Sequence, residues 1–412
     1  VNTNPEAEDA QWIEAPALNE TEAEHGHRQA SWLELFFDLV FVAAVGQLSH
    51  TLAEDVTWKS VLHYGLLFIP VWWAWVGFTF YADRFDTDDL SDRLLALVQM
   101  GATAVLAVNI PHALDDRMVP FALAYAALRA SLMAQYLLAG HHIRKARPLT
   151  RRFWRGSAAA GALWAISAFV PVPYAFGFWI AGLAVDFLTQ LGAGKIHGEV
   201  APSTGHLPER FGLFTLIVLG EAIVAVVSGI GDQAWTVATV TTAMLSLVLA
   251  FAIWWIYFEN LGGATIRSAS EEGRTGAYQL WLYAHLPLTA SIAAAAMGAH
   301  HALRSPVGEA FPAAHRWLMC GSIALCLVSL ALIHLSDALA TGVRWLNRQA
   351  VWRLTGAAAA IATAIFGTGL GAVWIVAIVT VIGSLQIITD PPHWRQNSPA
   401  LSGDDEPTGT GD

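Results

Sequence analysis

Residues 32–52 read Trp32-Leu-Glu34-Leu-Phe-Phe-Asp38-Leu-Val-Phe-Val-Ala-Ala-Val-Gly-Gln47-Leu-Ser49-His50-Thr-Leu52. The run is mostly apolar over about 20 residues, the length a helix needs to cross ~30 Å of hydrocarbon. Eleven further runs of the same kind follow, at 60–82, 93–111, 119–139, 155–171, 173–191, 207–229, 234–258, 279–301, 315–336, 352–366 and 368–388. Charged residues make up 13% of the 412-residue chain, roughly half the share of a soluble domain. That is too few to coat soluble surfaces, so the expected fold is all-α: a polytopic membrane bundle of about twelve transmembrane helices.

The loops test this count. With the N-terminus inside, the inside segments carry 17 Lys and Arg and the outside segments four, with Arg129 within a span, which accounts for all 22. A helix missed in mid-chain would swap the sides of every later loop and destroy this positive-inside bias. Both termini are therefore expected in the cytoplasm. The first span is expected to act as an uncleaved anchor, because no basic segment precedes it. Residues 1–31 and 389–412 read as disordered tails, and 192–206 as a cytoplasmic linker between a first half at 32–191 and a second at 207–388. The links Pro171-Val172-Pro173 and Gly367-Thr368-Gly369 split two long apolar stretches into hairpins. The halves also echo each other. Trp154-Arg155 matches Trp352-Arg353, Trp179-Ile180 matches Trp374-Ile375, and Trp-rich clusters end the second and eighth spans. Six is an even number, so a duplication would give two parallel repeats about an axis along the membrane normal.

A charge inside a span costs about 2.5–3.5 kcal/mol on insertion scales, so each one is a candidate site. Glu34 and Asp38 are four apart and share a helix face. Two anions so placed repel, and the pair is suited to holding a proton or a cation; Glu34 could equally act as an N-terminal helix acid. Glu221 lies mid-span without a basic neighbour in sequence, and Ser228 shares its face. Asp186 heads a polar stripe with Thr189 and Gln190. Arg129 is the one basic residue read within a span, and Asp38, Asp186 and Glu221 are its candidate partners. Gln47, Gln190 and Glu259 are secondary candidates. Asp83-Arg84 and Glu259-Asn260 end their spans and read as interfacial, and His334 with Asp337 at the end of the tenth span could form a proton pair but reads as ordinary helix-end polarity. Asp83, Asp86, Asp88, Asp89 and Asp92 read as a solvated loop.

The segment Glu34-Leu-Phe-Phe-Asp38-Leu-Val-Phe-Val with Gln47-Leu-Ser-His50 resembles the signature of the bacterial low temperature requirement A family. So do Trp72-Trp73-Ala-Trp75 with Tyr81-Ala-Asp83-Arg84-Phe85-Asp86, and Glu209-Arg210-Phe-Gly-Leu-Phe-Thr-Leu-Ile-Val-Leu-Gly220-Glu221. The likeness spans about residues 28–390. It implies a bacterial inner-membrane protein of a family named for growth in the cold, and brings no settled biochemical activity. Ala43-Ala44-Val45-Gly46-Gln47 is smaller than the family's Phe-Ala-Val-Thr-Gln, which alters packing and leaves the carboxylates in place.

No His or Cys pattern has metal-ligand spacing, and Cys320 and Cys326 read as packing residues. Nucleotide-loop and Gly-x-Ser-x-Gly motifs are absent. The sequence therefore suggests no metal, no cofactor, no catalytic residue and no nucleic-acid partner. The partners are membrane lipid and an unidentified small solute or ion, and the oligomeric state stays open. Secondary transport or ion permeation leads, with Glu34, Asp38, Asp186, Glu221 and Arg129 as binding residues. A membrane enzyme acting on a lipid-linked substrate and a non-catalytic stress or assembly factor are the alternatives.

Overall fold

The computed structural model describes residues 17–18, 30–86, 90–191, 203, 205–231, 233–259, 265–266, 275–341 and 348–388. Twelve long helices are described: α1 Trp32–Glu54, α2 Trp58–Arg84, α3 Leu90–Asn109, α4 Met118–His142, α5 Arg147–Ser167, α6 Tyr174–Leu191, α7 His206–Ile230, α8 Val237–Phe258, α9 Thr275–Arg304, α10 Ala313–Thr341, α11 Arg348–Phe366 and α12 Ala372–Ile387. Ten of the described helices are long and apolar enough to cross a membrane. The other two are α12, apolar over 16 residues, and α5, whose first half carries Arg147, Arg151, Arg152 and Arg155. The chain is a polytopic helical bundle.

Local chemistry sets the helix starts. Ser31 accepts from the Glu34 N–H while the Glu34 carboxylate accepts from the Ser31 N–H, a reciprocal cap that fixes the first turn of α1. Thr57 and Ser60 do the same for α2, and the Thr236 hydroxyl accepts from Thr239 N–H at α8. α5 starts at Arg147, ahead of the expected 155, because Pro148 falls in its first turn, where a missing N–H costs nothing.

The two longest helices, α9 and α10, pack against each other and are largely buried. α1 contacts α2, α3, α7 and α9, and α7 contacts α8 and α9, so α1, α2, α7 and α9 surround the centre. The pairs α5–α6 and α11–α12 are hairpins. In each, a glycine of the first helix leaves room for a side chain near the end of the second: Gly156 faces Thr189, and Gly356 faces Gln386. Leu39, Leu97, Ile180, Val224 and Phe251 all point outward. Such a surface would be a liability in water, but it suits contact with lipid.

Two expectations need amendment. Ala17 and Leu18, in the tail read as disordered, pair antiparallel with Asp86 and Phe85. His206, placed in the linker, opens α7 and is buried. The rest of 1–29, most of 192–204 and 389–412 lie outside the described residues.

Candidate functional site

The Glu34 and Asp38 side chains of α1 point into the bundle, where both are buried. Their partner is Arg210 of α7, which is fully buried. Its Nη2 donates to Asp38 Oδ1 at 2.7 Å, and its Nη1 lies 3.3 Å from Glu34 Oε1. The Trp75 indole N–H donates to the same Asp38 oxygen at 2.7 Å, while the buried Asp38 Oδ2 has no hydrogen-bond partner among the described residues.

One helical turn before Arg210, His206 lies between two more acids. Its Nε2 is 3.3 Å from Glu34 Oε2 and its Nδ1 is 3.1 Å from Asp83 Oδ1. Asp83 Oδ2 accepts from the Ser203 N–H at 3.1 Å. A neutral imidazole has one N–H and can donate to only one of the carboxylates; the doubly protonated ring donates to both. Asp83 and Arg84 were expected at the interface, yet both are buried, because α7 and Ser203 cover the end of α2. The cluster thus joins α1, α2 and α7 through three carboxylates, an arginine and a histidine.

Aromatic rings seal it from the rest of the bundle. Phe37 stacks on Phe78 at 3.7 Å, Trp75 stacks on Phe214 at 4.2 Å, and Phe211 fits between Trp75 and Trp281. Beside this layer, His285 Nδ1 donates to Trp281 O at 2.7 Å. Its Nε2 is therefore free to accept from Tyr257 Oη at 3.0 Å.

A second buried ion pair lies between α4 and α6. Arg129 Nη1 is 3.5 Å from Asp186 Oδ1, Nη2 donates to Trp73 O at 3.2 Å, and Tyr125 Oη donates to Asp186 Oδ2 at 2.9 Å. Of the three candidate partners, Arg129 takes Asp186, not Asp38 or Glu221. Gly77 leaves space for the guanidinium; a Cβ there would lie 3.2 Å from Nη1. Gln190 lines the same small cavity.

Glu221 stands apart from both pairs. It is half-buried against Gly46, where a Cβ would lie 3.4 Å from its Oε1. The small residue in the first motif is what lets this carboxylate approach α1. Gln47, His50, Glu54 and His63 line a polar pocket at this opposite end of α1 and α2. Ser228 turns to Ala225 O and His300 instead of Glu221. Glu259 is the C-cap residue of α8. Asp337 accepts from the Thr265 hydroxyl at 2.5 Å, and His334 Nε2 has no hydrogen-bond partner among the described residues, so the two do not pair with each other. Among the described residues, no group of three His, Cys, Asp or Glu could hold a metal ion. Asp88 and Asp89 lie outside the described residues.

The sequence reading missed Arg210, His206 and Trp75. The spacing His206-x3-Arg210 on one helix face was the available signal. Arg129 is also not alone among buried cations, since Arg84, Arg316 and Arg353 are buried as well.

The three motifs carrying this cluster lie within residues 29–385, which match the family model described as bacterial low temperature requirement A protein (LtrA). The chain belongs to the LtrA family. An uncharacterized protein of Rhizobium meliloti (strain 1021) is 30% identical over 297 residues, covering 68% of this chain and 70% of the relative. The LtrA match takes in every residue of both buried clusters and Glu221.

Proposed function

We propose that this LtrA protein is a proton-coupled secondary transporter of the bacterial inner membrane, with both termini in the cytoplasm and Glu34–His206–Asp83 as its proton site. The observation that carries the reading is the imidazole with a carboxylate at each nitrogen, at 3.3 and 3.1 Å. With two protons on the ring, α7 is tied to α1 through Glu34 and to α2 through Asp83. Removing one proton turns a ring lone pair toward an anion at close range and releases one tie. Proton occupancy then decides whether the α1–α2–α7 seam stays shut, and two packings of similar energy give alternating access.

The remaining groups fit such a cycle. Arg210 balances Glu34 and Asp38, which disfavours a metal cation at that pair and favours a proton. A buried ion cluster adds little net stability, because desolvation offsets much of the Coulomb attraction, so stability alone is a poor reason for it. Glu221 and the polar pocket beside His50 form an opposite station, eight residues along α1 from Asp38 at Gly46, or about 12 Å. The stacked aromatic rings packed around the Asp38 cluster suit a carrier better than an open pore. Arg129, Asp186 and Gln190, beside their own cavity, are the groups available to a solute.

The repeat belongs to the same proposal. Arg152 of α5 donates to Leu188 O and Thr189 O at the end of α6, and Arg353 of α11 donates to Gln386 O at the end of α12. The two hairpins are closed alike, although by Arg152 and not by the sequence-matched Arg155, and this likeness supports two parallel six-helix units related along the membrane normal.

Proteoliposomes loaded with proton, sodium and potassium reporters test the transporter reading. Proton flux is expected in the wild type and should be lost in Asp38→Asn and Glu221→Gln, both checked for folding. Flux carried by sodium or potassium alone, or proton flux unchanged in both variants, contradicts it.

A further inference from the structure

Between Asp116 and Asp186 the sequence contains no acid, yet it carries Arg117, Arg129, Arg144, Lys145, Arg147, Arg151, Arg152 and Arg155. Five of these, from Lys145 to Arg155, fall just before α5 or within its first half. Two have structural work. Arg147 Nε donates to Gly140 O at 3.1 Å, closing the end of α4. Arg152 donates to Thr189 O at 2.8 Å and Leu188 O at 2.7 Å, closing the end of α6. Cations at helix C-termini need no further reason.

Arg151 and Arg155 are different. They are four residues apart on one face of α5, and both are exposed. Among the described residues neither has a carboxylate partner; Arg155 lies over the Trp154 ring, at 5.5 Å. Together with Arg152 they line an open groove between α5 and α6, whose other walls are Pro148, Val185, Leu188 and Thr189. Among the described residues no acid lines this groove. Its α6 wall is apolar, and Leu188 is 62% exposed to the outside of the bundle. The groove therefore has a cationic floor at the helix ends and an apolar wall running into the membrane. A soluble anion would use the first feature and leave the second idle; an anionic phospholipid uses both. Basic pockets between helix ends at the membrane surface are suited to such headgroups.

We propose that the α5–α6 groove binds an anionic phospholipid. Its phosphodiester lies between the guanidinium groups of Arg151 and Arg155, and an acyl chain lies along Val185 and Leu188. Arg152, fixed by the α6 carbonyls, holds the two walls together, so the lipid clamps the hairpin. This site is independent of the transport reading.

Native mass spectrometry of the purified full chain tests it, with dioleoyl phosphatidylglycerol or dioleoyl phosphatidylcholine added. The wild type is expected to retain phosphatidylglycerol at least about tenfold over phosphatidylcholine. Arg151→Gln/Arg155→Gln should weaken that retention on the order of 30-fold, the factor for two cations near a membrane surface. Arg151→Lys/Arg155→Lys keeps the charge and should retain most of the binding, which guards against a variant that simply misfolds. An excess of inorganic phosphate should leave the lipid in place. Equal retention of the two lipids, unchanged retention in the glutamine variant, or displacement by inorganic phosphate overturns the proposal.

Discussion

Replacing Arg210 by Met removes the cation that two buried carboxylates share. In the wild type, Arg210 Nη2 is 2.7 Å from Asp38 and Nη1 is 3.3 Å from Glu34, with no solvent access to any of the three heads beyond a few per cent. After the substitution, Glu34 keeps His206 and the Ser31 N–H, whereas Asp38 keeps only the Trp75 indole. Breaking a buried pair by removing one partner costs about 3–5 kcal/mol, because the other charge stays buried. The double variant Arg210→Met/Asp38→Asn removes the stranded charge, and the amide oxygen still accepts from Trp75. It should regain about 1.5–3 kcal/mol relative to the single variant, within the range of coupling between contacting residues. The assay is SDS-induced unfolding in mixed micelles, followed by the fluorescence of the chain's 18 tryptophans. A single variant within about 1 kcal/mol of wild type, or a double variant no more stable than the single, refutes the argument that Arg210 neutralises Asp38.

The other predictions use the same unfolding assay. Trp75→Phe keeps the stacking on Phe214 but deletes a donor to a charged oxygen, and should cost about 1.5–3 kcal/mol. Tyr125→Phe removes the donor to Asp186 and should cost a similar amount, about 1.5–3 kcal/mol, with no effect on the Arg210 cluster. Gly77→Ala places a Cβ 2.9 Å from Leu132 Cδ2 and 3.2 Å from Arg129 Nη1, and should cost about 1–3 kcal/mol by displacing the Arg129–Asp186 pair. Gly298→Ala meets backbone, Met319 Cα at 2.9 Å, which cannot yield as a side chain does; it should cost about 1–3 kcal/mol and lower the yield of folded protein.

The membrane fold was legible because bilayer thickness, helix rise and breaker residues act locally. Glu34, offered as an N-terminal helix acid, does cap the first turn of α1, and Pro171-Val172-Pro173 and Gly367-Thr368-Gly369 both fall between the helices they were expected to separate. Glu34 and Asp38 were visible as candidates because two acids on one face of a membrane helix are expensive. Their partners were not visible. Arg210 and His206 stand 172 residues from Asp38 and Glu34, and in sequence they look like ordinary polar residues at the start of a span. Asp83 was misjudged for the same reason: a position at a helix end says nothing about whether another helix covers it. The Arg129–Asp186 pair was half legible, since the cost of a lone buried arginine demands a carboxylate without saying which one.

The most direct test is a proton-concentration jump applied to the protein reconstituted on a solid-supported membrane, comparing wild type with His206→Gln. Glutamine can donate toward a carboxylate but cannot take up and release a proton. If Glu34–His206–Asp83 is the proton site, the wild type gives a transient charge displacement and His206→Gln, folded to the same extent, gives none. Equal transients in the two proteins would contradict the account and leave the cluster a purely structural joint between α1, α2 and α7.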